Sequence, residues 1–135
     1  RKRRQKTMAL FEEKSGTVDF VTPQYTWTQT IWEVQVLIQV PAGTRGRDIN
    51  YKLEPKKITL GLKGQPPILD GELFGVVKPS DCLWTIEEGT LIRLVLQKVK
   101  KQEAWESIIK DTFMVDPLTK ENMAKKMMLE KFQSE

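Results

Sequence analysis

Between Tyr25 and Lys98 apolar and polar residues alternate in short runs broken by turn-forming residues, the period of half-buried β-strands. In Glu33–Val40 the residues Val34, Val36, Ile38 and Val40 fall on one face, with Gln35, Leu37 and Gln39 on the other. A turn-rich stretch from Pro41 to Arg47 interrupts the pattern. Ile49, Tyr51 and Leu53 then restart it, with Asn50, Lys52 and Glu54 turned away, and Pro55 ends that strand. Ile58, Leu60 and Leu62 mark the next, and Gly64 to Pro67 predicts a turn or an edge, because proline has no N–H to give a central ladder. Asp70-Gly71 predicts another turn and Leu73–Val77 a short strand. Cys82, Trp84 and Ile86 line one face of the following strand, and Glu88-Gly89 turns the chain into Thr90–Lys98. There Ile92, Leu94 and Leu96 oppose Leu91, Arg93, Val95 and Gln97. About seven strands with no helical pattern between them predict an all-β fold, an antiparallel seven-stranded β-sandwich.

After Lys101 the period becomes helical, since Trp105, Ile108, Ile109, Thr112 and Phe113 recur at three and four. Asp116-Pro117 interrupts it with a good N-cap and a residue tolerated in a first turn, so a second helix is predicted from there to about Phe132. Its apolar side would carry Ala124, Met128 and Phe132, with Met123 and Met127 beside them. The expected organisation is an N-terminal extension over 1–21, a sandwich over 22–100 and a tail of amphipathic helices over 101–135.

The length of 135 residues suits one core. Five of the positive charges lie at Arg1, Lys2, Arg3, Arg4 and Lys6, so the net +4 leaves the body near neutrality. Such a tip can bind an acidic surface, but a solvated end is the favoured reading, and nucleic acid is not the expected partner. No run approaches the roughly 20 apolar residues of a membrane helix. Cys82 alone cannot form an internal disulfide, which suits a reducing compartment, so a cytoplasmic and also nuclear location is expected.

The chain has no histidine, which removes the commonest general base and metal ligand together with every Ser-His or Cys-His arrangement. With one cysteine a zinc site has no ligand set, and Cys82 is read as a small buried hydrophobe. Gly61 to Pro67 lacks the spacing of a phosphate loop, and the adjacent pairs Glu12-Glu13 and Glu87-Glu88 point to opposite faces of any strand, so they form no catalytic dyad. No cofactor, metal or catalytic group is expected. Trp84 and Trp105 are assigned to the core, whereas Trp27 and Trp32 are left between sheet edge and groove.

If the fully apolar strand faces point inward, Leu37, Leu91 and Val95 point out and need a cover. The favoured cover is the helix around Trp105–Phe113, with Trp105, Ile109 and Phe113 on its apolar stripe, or the N-terminal Leu10-Phe11. The functional alternative is that these six side chains form an apolar surface for an unfolded or partner chain. For a charged partner surface the turns and outward positions supply Lys56, Lys57, Lys63, Gln65, Lys78 and Arg93.

Three strings, Tyr25–Thr30, Gly61–Leu73 and Trp84–Gly89, resemble in order and spacing the Trp-x-Gln-Thr, Gly-x-Lys-Gly-x-x-x-Ile-x-x-Gly-x-Leu and Trp-x-Ile-Glu-x-Gly pattern of the NudC family CS domain. The resemblance covers about residues 22–100. The Phe11–Gly16 and Leu129–Gln133 strings are similar to a short member of that family, while the basic first residues depart from it and carry no family role. The resemblance implies a sandwich like that of the small heat-shock proteins, with no catalytic site. It implies a co-chaperone that binds and stabilises unfolded or partly folded clients, with heat-shock protein 90 and dynein-regulator proteins of nuclear migration as partners. A scaffold that binds one folded partner through its tail helices, and self-associates through them as a homodimer, is the alternative.

Overall fold

A computed structural model of the protein describes residues 19–101 and 103–134. Two antiparallel sheets face each other. The larger has five strands in the order β1-β2-β3-β8-β7, formed by Phe20–Val21 (β1), Thr26–Gln29 (β2), Glu33–Gln39 (β3), Leu83–Glu87 (β7) and Leu91–Gln97 (β8). The smaller has the order β4-β5-β6, formed by Ile49–Glu54, Lys57–Leu62 and Leu69–Glu72. The alternation read in the sequence sets the inward rows. Val34, Val36 and Ile38 of β3 pair with Leu96, Leu94 and Ile92 of β8, and all six are fully buried. Ile49, Ile58, Leu60 and Leu69 close the core from the other sheet. Tyr51 of β4 meets Trp84 of β7 at 6.0 Å between ring centroids, so these two edge strands lie on one side of the sandwich.

The expected sandwich is therefore present, with eight strands rather than seven because the short β1 precedes β2. Asp70-Gly71 is not a turn: both residues lie inside β6. Gly71 has φ +151°, a conformation open to glycine, and a Cβ there would sit 3.1 Å from Ile109 Cγ2. Nor is Leu73–Val77 a strand. Only its ends form bridges, Leu73 to Ile109 and Val77 to Lys98.

The larger departure lies after β8. No helix forms around Trp105–Phe113; the chain runs there as an irregular strap. Ile109 bridges Leu73, the Phe74 N–H donates to the Ile108 carbonyl at 3.1 Å, and the Lys110 N–H donates to the Glu72 carbonyl at 2.8 Å. The strap thus extends the β6 edge, and Asp111 and Phe113, at φ +63° and +51°, lie outside the helical region. Its apolar residues are spaced like a helix because Trp105, Ile108 and Ile109 each fill the core on the side away from β4 and β7. Trp105, Ile108 and Ile109, beyond residue 100, share one buried core with the sandwich.

One α-helix is found among the described residues, α1 (Pro117–Ser134), where two had been expected. It starts as predicted: the Thr119 N–H donates to the Asp116 carboxylate at 2.6 Å and the Lys120 N–H to the Asp116 carbonyl at 2.9 Å. Its inward side is Met123 and Met127, however, while Ala124 and Met128 face solvent. Wide spacing of apolar positions left two adjacent stripes to choose from, and contact with β2, where Gln29 Nε2 donates to Met123 Sδ at 2.6 Å, selects the other one. The side chain of Phe132, the basic tip and Leu10-Phe11 lie outside the described set.

Candidate interaction surfaces

β3, β7 and β8 turn one face inward and present the other outward. On that outer face a chain of polar side chains crosses the sheet. Arg93 grips Glu87 through two hydrogen bonds, Nε to Oε2 at 2.6 Å and Nη2 to Oε1 at 3.3 Å. Its Nη1 donates to Gln35 Oε1 at 3.0 Å. Gln35 Nε2 then donates to Glu33 at 2.8 Å, and Gln97 Nε2 to the same carboxylate at 3.1 Å. The hydrogen bonds from Arg93 hold the Glu87 carboxyl below the ordinary carboxylate value, and the same pairing raises the guanidinium.

Around this network sit the apolar residues of the outer face. Leu83 stands opposite Val95 and Leu37 opposite Arg93, so Leu37 and Val95 are diagonal neighbours roughly 7–8 Å apart. Leu91 lies between Gln39 and Glu87. Leu37, Leu91 and Val95 are half-buried and Leu83 is 54% exposed. The strap does not cover them. It is bonded to β6 and to the inward-facing Gln29, so Trp105 and Ile109 are core residues, withdrawn from any exposed apolar surface. Phe113 remains partly exposed and meets Tyr25 edge-on at 6.1 Å. The six apolar candidates therefore split between the outer face, the core and the strap's rim.

The charged candidates also separate. Lys56 and Lys57 lie at the β4–β5 turn, where the Val77 N–H donates to the Pro55 carbonyl at 2.8 Å and brings Lys78 alongside. Lys63 and Gln65 lie beyond the opposite end of β5, roughly 17 Å away along the strand. Lys56 and Lys78 are in exposed ion pairs with Glu72 at 3.8 Å and Asp81 at 3.5 Å. Arg93 belongs to the outer-face network.

Sequence reasoning passed over the polar hub that fastens the strap. Lys98 is buried, and its Nζ donates to Gln29 Oε1 at 2.9 Å and to the carbonyls of Thr30 and Glu103, each at 2.7 Å. Gln29, also buried, accepts from the Trp105 N–H at 3.0 Å and donates to the Trp105 carbonyl at 2.9 Å. The signal was phase: Lys98 follows Ile92, Leu94 and Leu96, and Gln29 follows Trp27, each two residues on.

Cys82 is half-buried rather than wholly enclosed, donating to the Lys78 carbonyl and accepting from the Gln97 N–H. Burial pushes its thiol up, so it is held in the neutral form. Trp27 is buried inside β2, and Trp32 is exposed in the β2–β3 turn with Lys101 Nζ 5.0 Å from its ring centroid. Among the described residues no helix is long and apolar enough to cross a membrane.

The CS domain model matches residues 23–98. The human NudC domain-containing protein 2 is 39% identical over 129 residues, spanning 94% of this chain and 82% of that protein. The nuclear migration protein nudC of Drosophila melanogaster is 37% identical over 87 residues, 63% of this chain and 26% of that protein. The crystal structure of NudC domain-containing protein 2 from Mus musculus superposes with a TM-score of 0.53 at 37% identity, covering 91% of this chain and 95% of that one. With the three strings standing on β2, β5–β6 and β7 of this sandwich, the chain belongs to the NudC family of CS-domain proteins.

Proposed function

We propose that this protein is a non-enzymatic co-chaperone that holds partly unfolded client chains on the outer face of its five-stranded sheet. The observation that carries the reading is the apolar group Leu37, Val95 and Leu83 beside the Arg93–Glu87 network, left uncovered by the strap. Apolar side chains ringed by hydrogen-bonding groups suit an extended client, which offers both side chains and backbone. Family membership supports this reading and extends it to heat-shock protein 90 and dynein-regulator proteins as partners, in the cytoplasm and nucleus. For a folded partner the Lys56, Lys57 and Lys78 corner is the charged surface of choice, with Lys63 and Gln65 as a separate contact.

Light scattering of a heat-unfolding client tests the holding role. Suppression at several-fold excess, lost in Leu83→Asp/Val95→Asp with the fold intact by circular dichroism, is the expected result; no suppression by the wild type sinks the proposal. A second reading, a scaffold gripping one folded partner, draws on the exposed Leu118, Met128 and Leu129 of α1. Under it, Leu118→Asp/Leu129→Asp abolishes partner capture and the sheet-face variant does not.

A further inference from the structure

β7 is an edge of the five-stranded sheet, paired with β8 on one side only. Its middle residue, Thr85, is exposed and stands directly opposite Arg93 of β8, so both side chains rise on the outer face. Residues opposed in this way have Cβ atoms roughly 5 Å apart. Arg93 nevertheless grips Glu87, two residues further along β7, because the nearer threonine carries no charge. One cation thus has two β7 positions within reach, a carboxylate and a neutral hydroxyl. The other charged group on this face of β3, β7 and β8 is Glu33, beyond Gln35. After Glu87 the chain turns at Glu88 and Gly89, with φ +56° and +69°, and Glu88 is exposed. Extended backbone with an open edge, and an exposed hydroxyl followed at two and three residues by carboxylates, suit the basic substrate cleft of an acid-directed protein kinase.

We propose that Thr85 is a phosphorylation site and that its phosphate takes Arg93 from Glu87. In the transfer the Thr85 hydroxyl oxygen attacks the γ-phosphorus of ATP and gives its proton to the catalytic carboxylate of the kinase. The new O–P bond forms as the bond between the γ-phosphorus and the bridging oxygen breaks, and ADP leaves. The phosphate carries nearly two negative charges at pH 7 and three strong acceptor oxygens. It therefore outcompetes a single carboxylate for the guanidinium that faces it. Glu87 is then left without its partner, beside a dianion. Since Arg93 Nη1 also donates to Gln35 Oε1, the exchange alters the network as far as β3. The inference concerns how the outer face is connected and is independent of what binds there.

Treatment of the folded, full-length protein with casein kinase 2 and ATP, read by peptide mass spectrometry, tests the site. A phosphate on Thr85 is expected, absent from that peptide in Thr85→Val and added at least fivefold more slowly in Glu88→Gln. Labelling of Thr85 only in the heat-unfolded chain, or at other residues alone, overturns the proposal. The crystal structure of the phosphorylated protein tests the exchange, with Arg93 expected on the phosphate. In solution the carboxyl of Glu87, held low by Arg93 in the unmodified protein, should then titrate higher. Arg93 still bonded to Glu87 in the phosphorylated crystal, with the Glu87 titration unmoved, overturns the exchange.

Discussion

Lys98 sits in phase with three core residues of β8, and a charge at such a position survives only if its desolvation is offset by bonds. Three acceptors, Gln29 Oε1 and the carbonyls of Thr30 and Glu103, provide them. Methionine keeps the length of the side chain and removes its donors, leaving those buried acceptors unmet. Lys98→Met should therefore destabilise the fold by roughly 2–4 kcal/mol, read by urea unfolding. Gln29→Leu should cost a similar amount, and the double variant distinctly less than the sum, because both residues act in one hub. Glu87 behaves differently because it is only half-buried. Its carboxyl is lowered in the folded state by Arg93, so the stabilisation is present above the unfolded-state value near 4.3 and lost as pH falls through the folded value. Solvent screening keeps the effect below about 1 kcal/mol. Glu87→Gln should be slightly less stable than wild type at pH 6 and equal to it near pH 2 in thermal melts.

The strap shows why a helical period does not make a helix. Trp105, Ile108 and Ile109 repeat at three and four, yet the backbone of Glu72 in β6 and of Phe74 just after it offers Lys110 and Ile108 hydrogen bonds that a helix would have to replace. Gly71 allows this approach. Gly71→Ala would strain the backbone at φ +151° and push against Ile109, so a loss of roughly 1–3 kcal/mol is expected. Hydrogen exchange should show the Lys110 amide losing protection first, and unchanged protection there would separate the strap from β6. The alternation made β3, β4, β5 and β8 legible, because each has one wet face. β6 was displaced by four residues because Asp70-Gly71 has turn chemistry in a strand, where glycine is needed for packing rather than for a bend. The strap and the Met123–Met127 stripe depend on contacts between segments far apart in the chain, and no local period carries those.

Across the whole molecule the candidate surfaces lie far apart, which makes their roles separable. β1 and β7 are the opposite edges of the five-stranded sheet, four strand spacings or about 19 Å apart. Leu83 stands on β7, whereas α1 packs at the other end of that sheet, its Met123 accepting from Gln29 of β2 and sharing a hollow with Phe20 of β1. Sites at that separation with no shared partners should contribute additively. Leu83→Asp/Val95→Asp removes apolar contact from the sheet face without emptying the core, since both side chains point outward. It should reduce client holding severalfold and leave capture of a folded partner unchanged. Leu118→Asp/Leu129→Asp should do the reverse, because those side chains project from the solvent side of α1. Combining the four substitutions should lower each activity by no more than its own pair does, measured by light scattering and by pull-down of the same protein preparation. A combined loss well beyond either pair would show that one continuous surface, reaching around the strap, serves both.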